Sequence, residues 1–118
     1  ICKIVLEAND AVVDSAAPGT PLSEIDAAAR AVIDRYGYGQ NFNHATGHGV
    51  GLEVHDPPVV NRRNRDPLTP GMVITVEPGI YIEGLGGIRI EDLVLVTKKK
   101  HSVLTNTPKD IDSCTITL

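Results

Sequence analysis

The sequence predicts an α+β fold: one unit in which two helices pack on an antiparallel β-meander. Three observations predict it. Residues 1–36 place apolar side chains at helical spacing, the chain beyond Gly39 turns to β-like runs punctuated by glycine and proline, and nothing between reads as a linker. With 118 residues, 42% hydrophobic and 22% charged, and no long polar tract, the chain is globular around a single core. One Phe, three Tyr and no Trp leave that core to Val, Ile, Leu and Ala.

The first helix is expected through ICKIVLEANDAVVDSA, where Ile1, Ile4, Val5, Ala8 and Val12 form one stripe. No N-cap residue precedes it, and Lys3 sits in the first turn, where the macrodipole disfavours a cation. The chain therefore reads as cut inside a helix. PGTP at 18–21 is a turn, and Pro21 suits the first position of a second helix because its absent N–H would have no partner there. Leu22, Ile25, Ala29, Val32, Ile33 and Tyr36 keep the period, and Gly37 supplies a left-handed stop. A glycine-rich run over 40–58 ends in Pro57 and Pro58, and a polar loop leads to Pro70. MVITVE, GIYIE, IRIEDLVLVT and SVLT then read as four strands, the second and third joined through Gly84, Gly86 and Gly87 as a hairpin.

The net charge of -4 opposes a nucleic-acid or anionic-membrane partner, since both need a basic face. RRNR (Arg62, Arg63, Arg65) and KKK (Lys98 to Lys100) are short and read as solvated loops. No apolar stretch approaches the ~20 residues needed to span a bilayer, and no signal peptide is visible. Cys2 and Cys114, at opposite ends without CxxC spacing, imply neither a zinc knuckle nor an obligatory disulfide. A cytoplasmic location is expected.

The chemistry concentrates in NHATGHGVGLEVHDPP, which holds His44, His48 and His55, three of the four histidines. Glu77 in MVITVEPGIY and Glu91 in GGIRIEDLVLV follow on apolar, strand-like segments. Imidazole and carboxylate are ligands for first-row divalent ions in hydrolytic sites. Strand alternation puts Glu91 on a face with Arg89, Leu93 and Leu95, and Glu77 with Thr75 and Val73. Carboxylates among such apolar neighbours need neutralising, by a metal or, for Glu91, by Arg89 as an ion-pair partner. Taken singly, each Glu reads as solvent-facing and His44 or His48 as a turn residue; the joint pattern favours a metal. Gly47, Gly49 and Gly51 resemble a phosphate-cradling loop, but a helix precedes them and LEVHDPP follows, the wrong context for one. No Ser lies in a nucleophile-elbow setting.

GHGVGLEVHDPP, LTPGMVITVEPGIY and GGIRIEDLVLVT, in that order, closely resemble the second half of the catalytic domain of the pita-bread (creatinase/aminopeptidase-like) metallopeptidases. LEVHDPP and VEPGIY are most similar to the Xaa-Pro branch, aminopeptidase P and Xaa-Pro dipeptidase. The resemblance implies half of a pita-bread fold, with residues 1–118 as the C-terminal part of a catalytic domain truncated on its N-terminal side. It implies a metal-dependent exopeptidase that hydrolyses a peptide bond next to proline through a metal-activated water. His48, Glu77 and Glu91 correspond to metal ligands, Glu77 also to a proton acceptor and Glu91 to a bridge between two ions. By the same correspondence His55 steadies the gem-diolate, His44 contacts substrate and Arg89 supports the site. The intact family site holds two divalent ions, manganese, cobalt or zinc.

The family's remaining two ligands are aspartates from the other half. Asp10, Asp14, Asp26 and Asp34 fall in the two predicted helices and match no motif of the family. The chain is therefore expected to hold one ion or none and to be inactive alone. An exposed sheet edge is expected to drive homodimerisation or pairing with the other half. Two alternatives stay open: a non-catalytic binding module on a degenerate peptidase fold, and methionine aminopeptidase.

Overall fold

The computed structural model describes residues 1–116. Helix α1 (Cys2–Ser15) buries Val5, Ala8 and Val12 of the predicted stripe together with the polar Asn9, while Ile4 is half-buried and Ile1, just before the helix, is exposed. Its N-cap, Ile1, makes no side-chain cap bond. Helix α2 (Leu22–Arg35) starts one residue later than the sequence suggests, with Pro21 as an extended N-cap at φ -61° and ψ 137°. In that conformation Pro21 bridges to Pro67, while Leu22 N–H donates to the Asp66 carbonyl and Leu68 N–H to the Thr20 carbonyl. The loop over 61–70 is thereby stitched to the start of α2. Gly37, at φ +81°, ends the helix in the left-handed conformation. Tyr36 departs from its expected place on the buried stripe. It lies just past the helix, 47% exposed, and its hydroxyl donates to Glu7 Oε2 at 2.9 Å.

After a 3₁₀ turn at Gly39–Asn41 come β1 (Gly47–Gly49), β2 (Asp56–Val60), β3 (Val73–Val76), β4 (Gly79–Ile82), β5 (Gly86–Arg89), β6 (Asp92–Val96) and β7 (His101–Val103). Five of them make an antiparallel sheet in the order β2-β1-β3-β6-β7, and β4 and β5 form a separate pair. The expected β4–β5 hairpin is present, turning through Gly84 at φ +76° and Gly86 at φ +136°. Gly87, expected in the turn, belongs instead to β5 and faces Tyr81 across the pair.

The simple meander is corrected in two places. β3 pairs with β6 rather than with β4, Val73 opposite Leu95 and Val76 opposite Asp92. Pro78 explains the break, because it has no N–H to continue the β3 ladder. The run IRIEDLVLVT correspondingly splits between Arg89 and Asp92, so its two parts join different sheets. The second correction is that β1 and β2 arise from glycine- and proline-rich sequence with little strand propensity. Close backbone approach makes them possible: a Cβ on Gly47 would fall on the Thr75 carbonyl oxygen, and one on Gly49 on the Pro57 carbonyl.

Ile74, Val76, Val94 and Val96 are buried from the sheet and meet Val5, Val12, Ile25 and Ile33 from the helices in one core. The sheet's edges are poor templates for pairing. β2 carries Pro57 and Pro58, which donate no hydrogen bond, and β7 is a three-residue strand next to exposed Lys98, Lys99 and Lys100. Among the described residues no helix is long and apolar enough to cross a membrane.

Candidate active site

β1 and the end of β3 carry the first two site residues. His48 sits between Gly47 and Gly49, and its backbone N–H donates to Thr75 Oγ1 at 2.9 Å. The Thr75 hydroxyl in turn donates to Glu77 Oε1 at 2.8 Å, as their shared strand face predicts. Glu77, one residue past β3, is tied by its N–H to the Thr46 carbonyl at 2.8 Å. Its Oε1 lies 3.3 Å from His48 Nε2, with only 14% and 18% of the two side chains exposed.

The His48 ring has one defined tautomer. Nδ1 lies 2.8 Å from the Gly49 carbonyl, which can only accept, so Nδ1 carries a hydrogen. In the neutral ring Nε2 then turns a lone pair toward the Glu77 carboxylate. Two acceptors facing each other at that distance repel unless a cation, proton or metal, lies between them. Orientation of a ligating histidine by a carbonyl on its other nitrogen is also how metal-binding imidazoles are held.

Arg89, at the end of β5, stands between the two glutamates. Its Nε is 3.7 Å from Glu77 Oε2 and 3.9 Å from Glu91 Oε2. The Tyr81 hydroxyl beside it raises the guanidinium above its ordinary value, and Glu77 and Glu91 add to this while burial opposes it. Contrary to the expectation of a carboxylate enclosed by apolar neighbours, Glu91 lies in the break between β5 and β6 and is 44% exposed. Among the described residues no three His, Cys, Asp or Glu side chains converge as a metal-binding group. His48 and Glu77 come together; Glu91 reaches them through Arg89.

The other two histidines differ. His55 is exposed in the loop before β2 but packs edge-on against His48, ring centroids 4.6 Å apart at 69°. His44 donates from Nδ1 to the Ala45 carbonyl at 2.7 Å and accepts at Nε2 from the Tyr81 hydroxyl at 3.1 Å. Its ring also lies edge-on to Phe42, centroids 5.0 Å apart.

Tyr81, which the sequence reading passed over as a strand residue, therefore touches both His44 and Arg89. It rests on glycine: a Cβ on Gly79 would meet its hydroxyl at 2.7 Å, and one on Gly87 would fall on its ring. Those two glycines, two positions from Tyr81 along β4 and opposite it on β5, were the signal that could have found it.

Imidazole and carboxylate donors on adjoining strands are the ligand types of metal-dependent hydrolases. Comparison makes the class specific. The model of metallopeptidase family M24 matches residues 1–98, and the chain belongs to that family. It is 52% identical over 111 residues to a Xaa-Pro dipeptidase of Pyrococcus horikoshii, a match that covers 94% of this chain and 32% of that protein. In structure it is similar to the prolidase from Pyrococcus furiosus, with a TM-score of 0.89 and 51% identity over 92% of this chain and 32% of that one. The Xaa-Pro dipeptidase from Bacillus anthracis gives a TM-score of 0.91 and 48% identity, over 93% of this chain and 31% of that one. The fold is thus that of the prolidases, two helices on antiparallel sheets in the pita-bread arrangement, and the chain spans about a third of the length of the curated relatives it matches.

Proposed function

We propose that residues 1–118 form one structural unit of the catalytic domain of a metal-dependent Xaa-Pro dipeptidase, acting on the peptide bond next to proline. One observation carries the reading: His48 Nε2, its tautomer fixed by the Gly49 carbonyl, faces Glu77 Oε1 at 3.3 Å. The donor chemistry fits a divalent ion, manganese in this reading, and His48, Glu77 and Glu91 would hold it. A bound ion supplies Lewis acidity and lowers the pKa of water enough to give hydroxide at neutral pH.

The chain's own residues do the rest. Thr75 occupies one oxygen of Glu77, which leaves Oε2 to take the proton of the attacking water. His55, exposed and edge-on to His48, would donate to the oxygen that becomes anionic as the carbonyl is attacked, a reading its contact with His48 supports. Tyr81 holds His44, the proposed substrate contact, and also Arg89, which keeps the two glutamates aligned. Two aspartate ligands implied by the family have no counterpart here: Asp10, Asp14, Asp26 and Asp34 lie on α1 and α2. Turnover is assigned to this unit together with those donors, and none to the unit alone. The two free thiols fit a reducing, cytoplasmic setting.

A second reading, a non-catalytic module on the peptidase fold, is favoured by the position of Arg89 between Glu77 and Glu91. Calorimetric titration with Mn²⁺ or Co²⁺ separates the two. One ion bound, and lost in both His48→Ala and Glu77→Gln, supports the peptidase unit; no binding supports the module. Two ions with hydrolysis of Gly-Pro would overturn the assignment of inactivity.

A further inference from the structure

Asp26 is a fully buried carboxylate on α2 that the proposed chemistry does not use. It is completely partnered. Arg30, one turn on, donates from Nε to Asp26 Oδ2 at 2.6 Å and from Nη2 to Oδ1 at 3.2 Å, and the Thr46 hydroxyl donates to Oδ1 at 2.7 Å. Two of the remaining guanidinium hydrogens reach the loop before β1. Nη1 donates to the Phe42 carbonyl at 3.0 Å and Nη2 to the His44 carbonyl at 2.8 Å, while the guanidinium plane lies 4.3 Å from the Phe42 ring centroid.

These bonds fix the backbone on both sides of His44. Within 42–46 the sheet holds Thr46, whose N–H donates to the Val60 carbonyl at 2.9 Å and whose carbonyl accepts from the Glu77 N–H at 2.8 Å, whereas 43–45 lie between a 3₁₀ turn and a three-residue strand and belong to no ladder. A planar fork with five donors can grip two carbonyls and a carboxylate together; an ammonium cannot. We propose that Asp26 and Arg30 are positioning residues whose task is to set the His44 ring against the Tyr81 hydroxyl. The consequence for substrate rests on the reading of His44 as a substrate contact, but the clamp itself is independent of it.

The test uses NMR of the intact chain. In Arg30→Ala the cross-relaxation contacts between the His44 and Tyr81 rings should be lost, while those between His101 and Ala16, whose hydrogen bond of 3.0 Å lies away from the clamp, should persist. Arg30 borders a cleft of about 490 Å³, which admits a small solute. Ethylguanidinium should restore the His44–Tyr81 contacts, and ethylammonium and Arg30→Lys should not. If Arg30→Ala also loses the His101 signals, the double variant Asp26→Leu/Arg30→Met replaces the pair by an apolar one of similar volume, which buried ion pairs tolerate, and must lose the same contacts. Persistence of His44–Tyr81 contacts in a folded variant, or equal rescue by ethylammonium, would overturn the proposal. Absence of peptidase activity would leave all of these signals as they are.

Discussion

His48 Nε2 and Glu77 Oε1 face each other at 3.3 Å, while His48 Nδ1 is held by the Gly49 carbonyl at 2.8 Å and Glu77 Oε1 by the Thr75 hydroxyl at 2.8 Å. The Gly49 carbonyl orients the His48 ring from behind and leaves Nε2 free, while the Thr75 hydroxyl fixes the Glu77 carboxylate through Oε1 and leaves Oε2 open. Such preorganisation belongs to sites that bind cations.

Glu77→Gln should preserve this geometry, because the amide oxygen still accepts from Thr75, while removing the charge. Binding of Co²⁺ should be lost, because the variant removes a carboxylate read as a direct donor to the ion, with little change in melting temperature. Calorimetry on the variant checks this, and undiminished affinity would place the ion elsewhere.

Gly87→Ala puts a methyl group on the Tyr81 ring. Overpacking of this kind costs about 1–3 kcal/mol, read as a lower urea midpoint. Tyr81→Phe keeps the ring and removes the hydroxyl, with its bond to His44 and its interaction with Arg89, at a cost of about 1 kcal/mol. If Gly87→Ala is the milder of the two, the ring is not seated as described.

Asp92 is buried and receives Lys109 Nζ at 2.5 Å along with the Thr105 hydroxyl. This pair straps the segment after β7 to β6. Lys109→Ala strands a buried carboxylate and should cost about 3 kcal/mol, whereas Asp92→Leu with Lys109→Met should cost far less. Denaturant titration of both variants decides between an ion-pair strap and mere packing.

Asp110 is held below its ordinary value of 3.8, first by the Ser113 backbone N–H, which donates to Oδ1 at 2.8 Å. A depressed folded value means the stabilisation is complete above 3.8 and is lost as pH falls through the lower folded value. Hydrogen-exchange protection of the Ser113 amide should therefore fall away only below that ordinary value, and Asp110→Asn should abolish the dependence.

Part of this was legible along the chain. The stripe through Val5, Ala8 and Val12, the stop at Gly37 and the β4–β5 hairpin follow from local periodicity and turn chemistry, as does the shared face of Thr75 and Glu77. The histidine and glutamate motifs identified the family. The strands β1 and β2 were not legible, because glycine and proline are depleted in strands and only close backbone approach, which no local pattern records, lets Gly47 and Gly49 pair. Asp26 read as an unassigned helical acid, and its role exists only because Thr46 meets it across the fold and Arg30, one turn on along α2, also reaches the Phe42 and His44 carbonyls.

The sequence by itself determined the two helices, the β4–β5 hairpin and, through its histidine and glutamate motifs, the family, since these depend on side-chain chemistry and near-neighbour spacing. The tertiary structure alone decided which donors meet. Pro78 ends one ladder and the break at Glu91 starts another, so His48 and Glu77 are joined while Arg89 intervenes before Glu91. Convergence of residues from separate strands is a property of pairing and register, and a one-dimensional pattern carries neither.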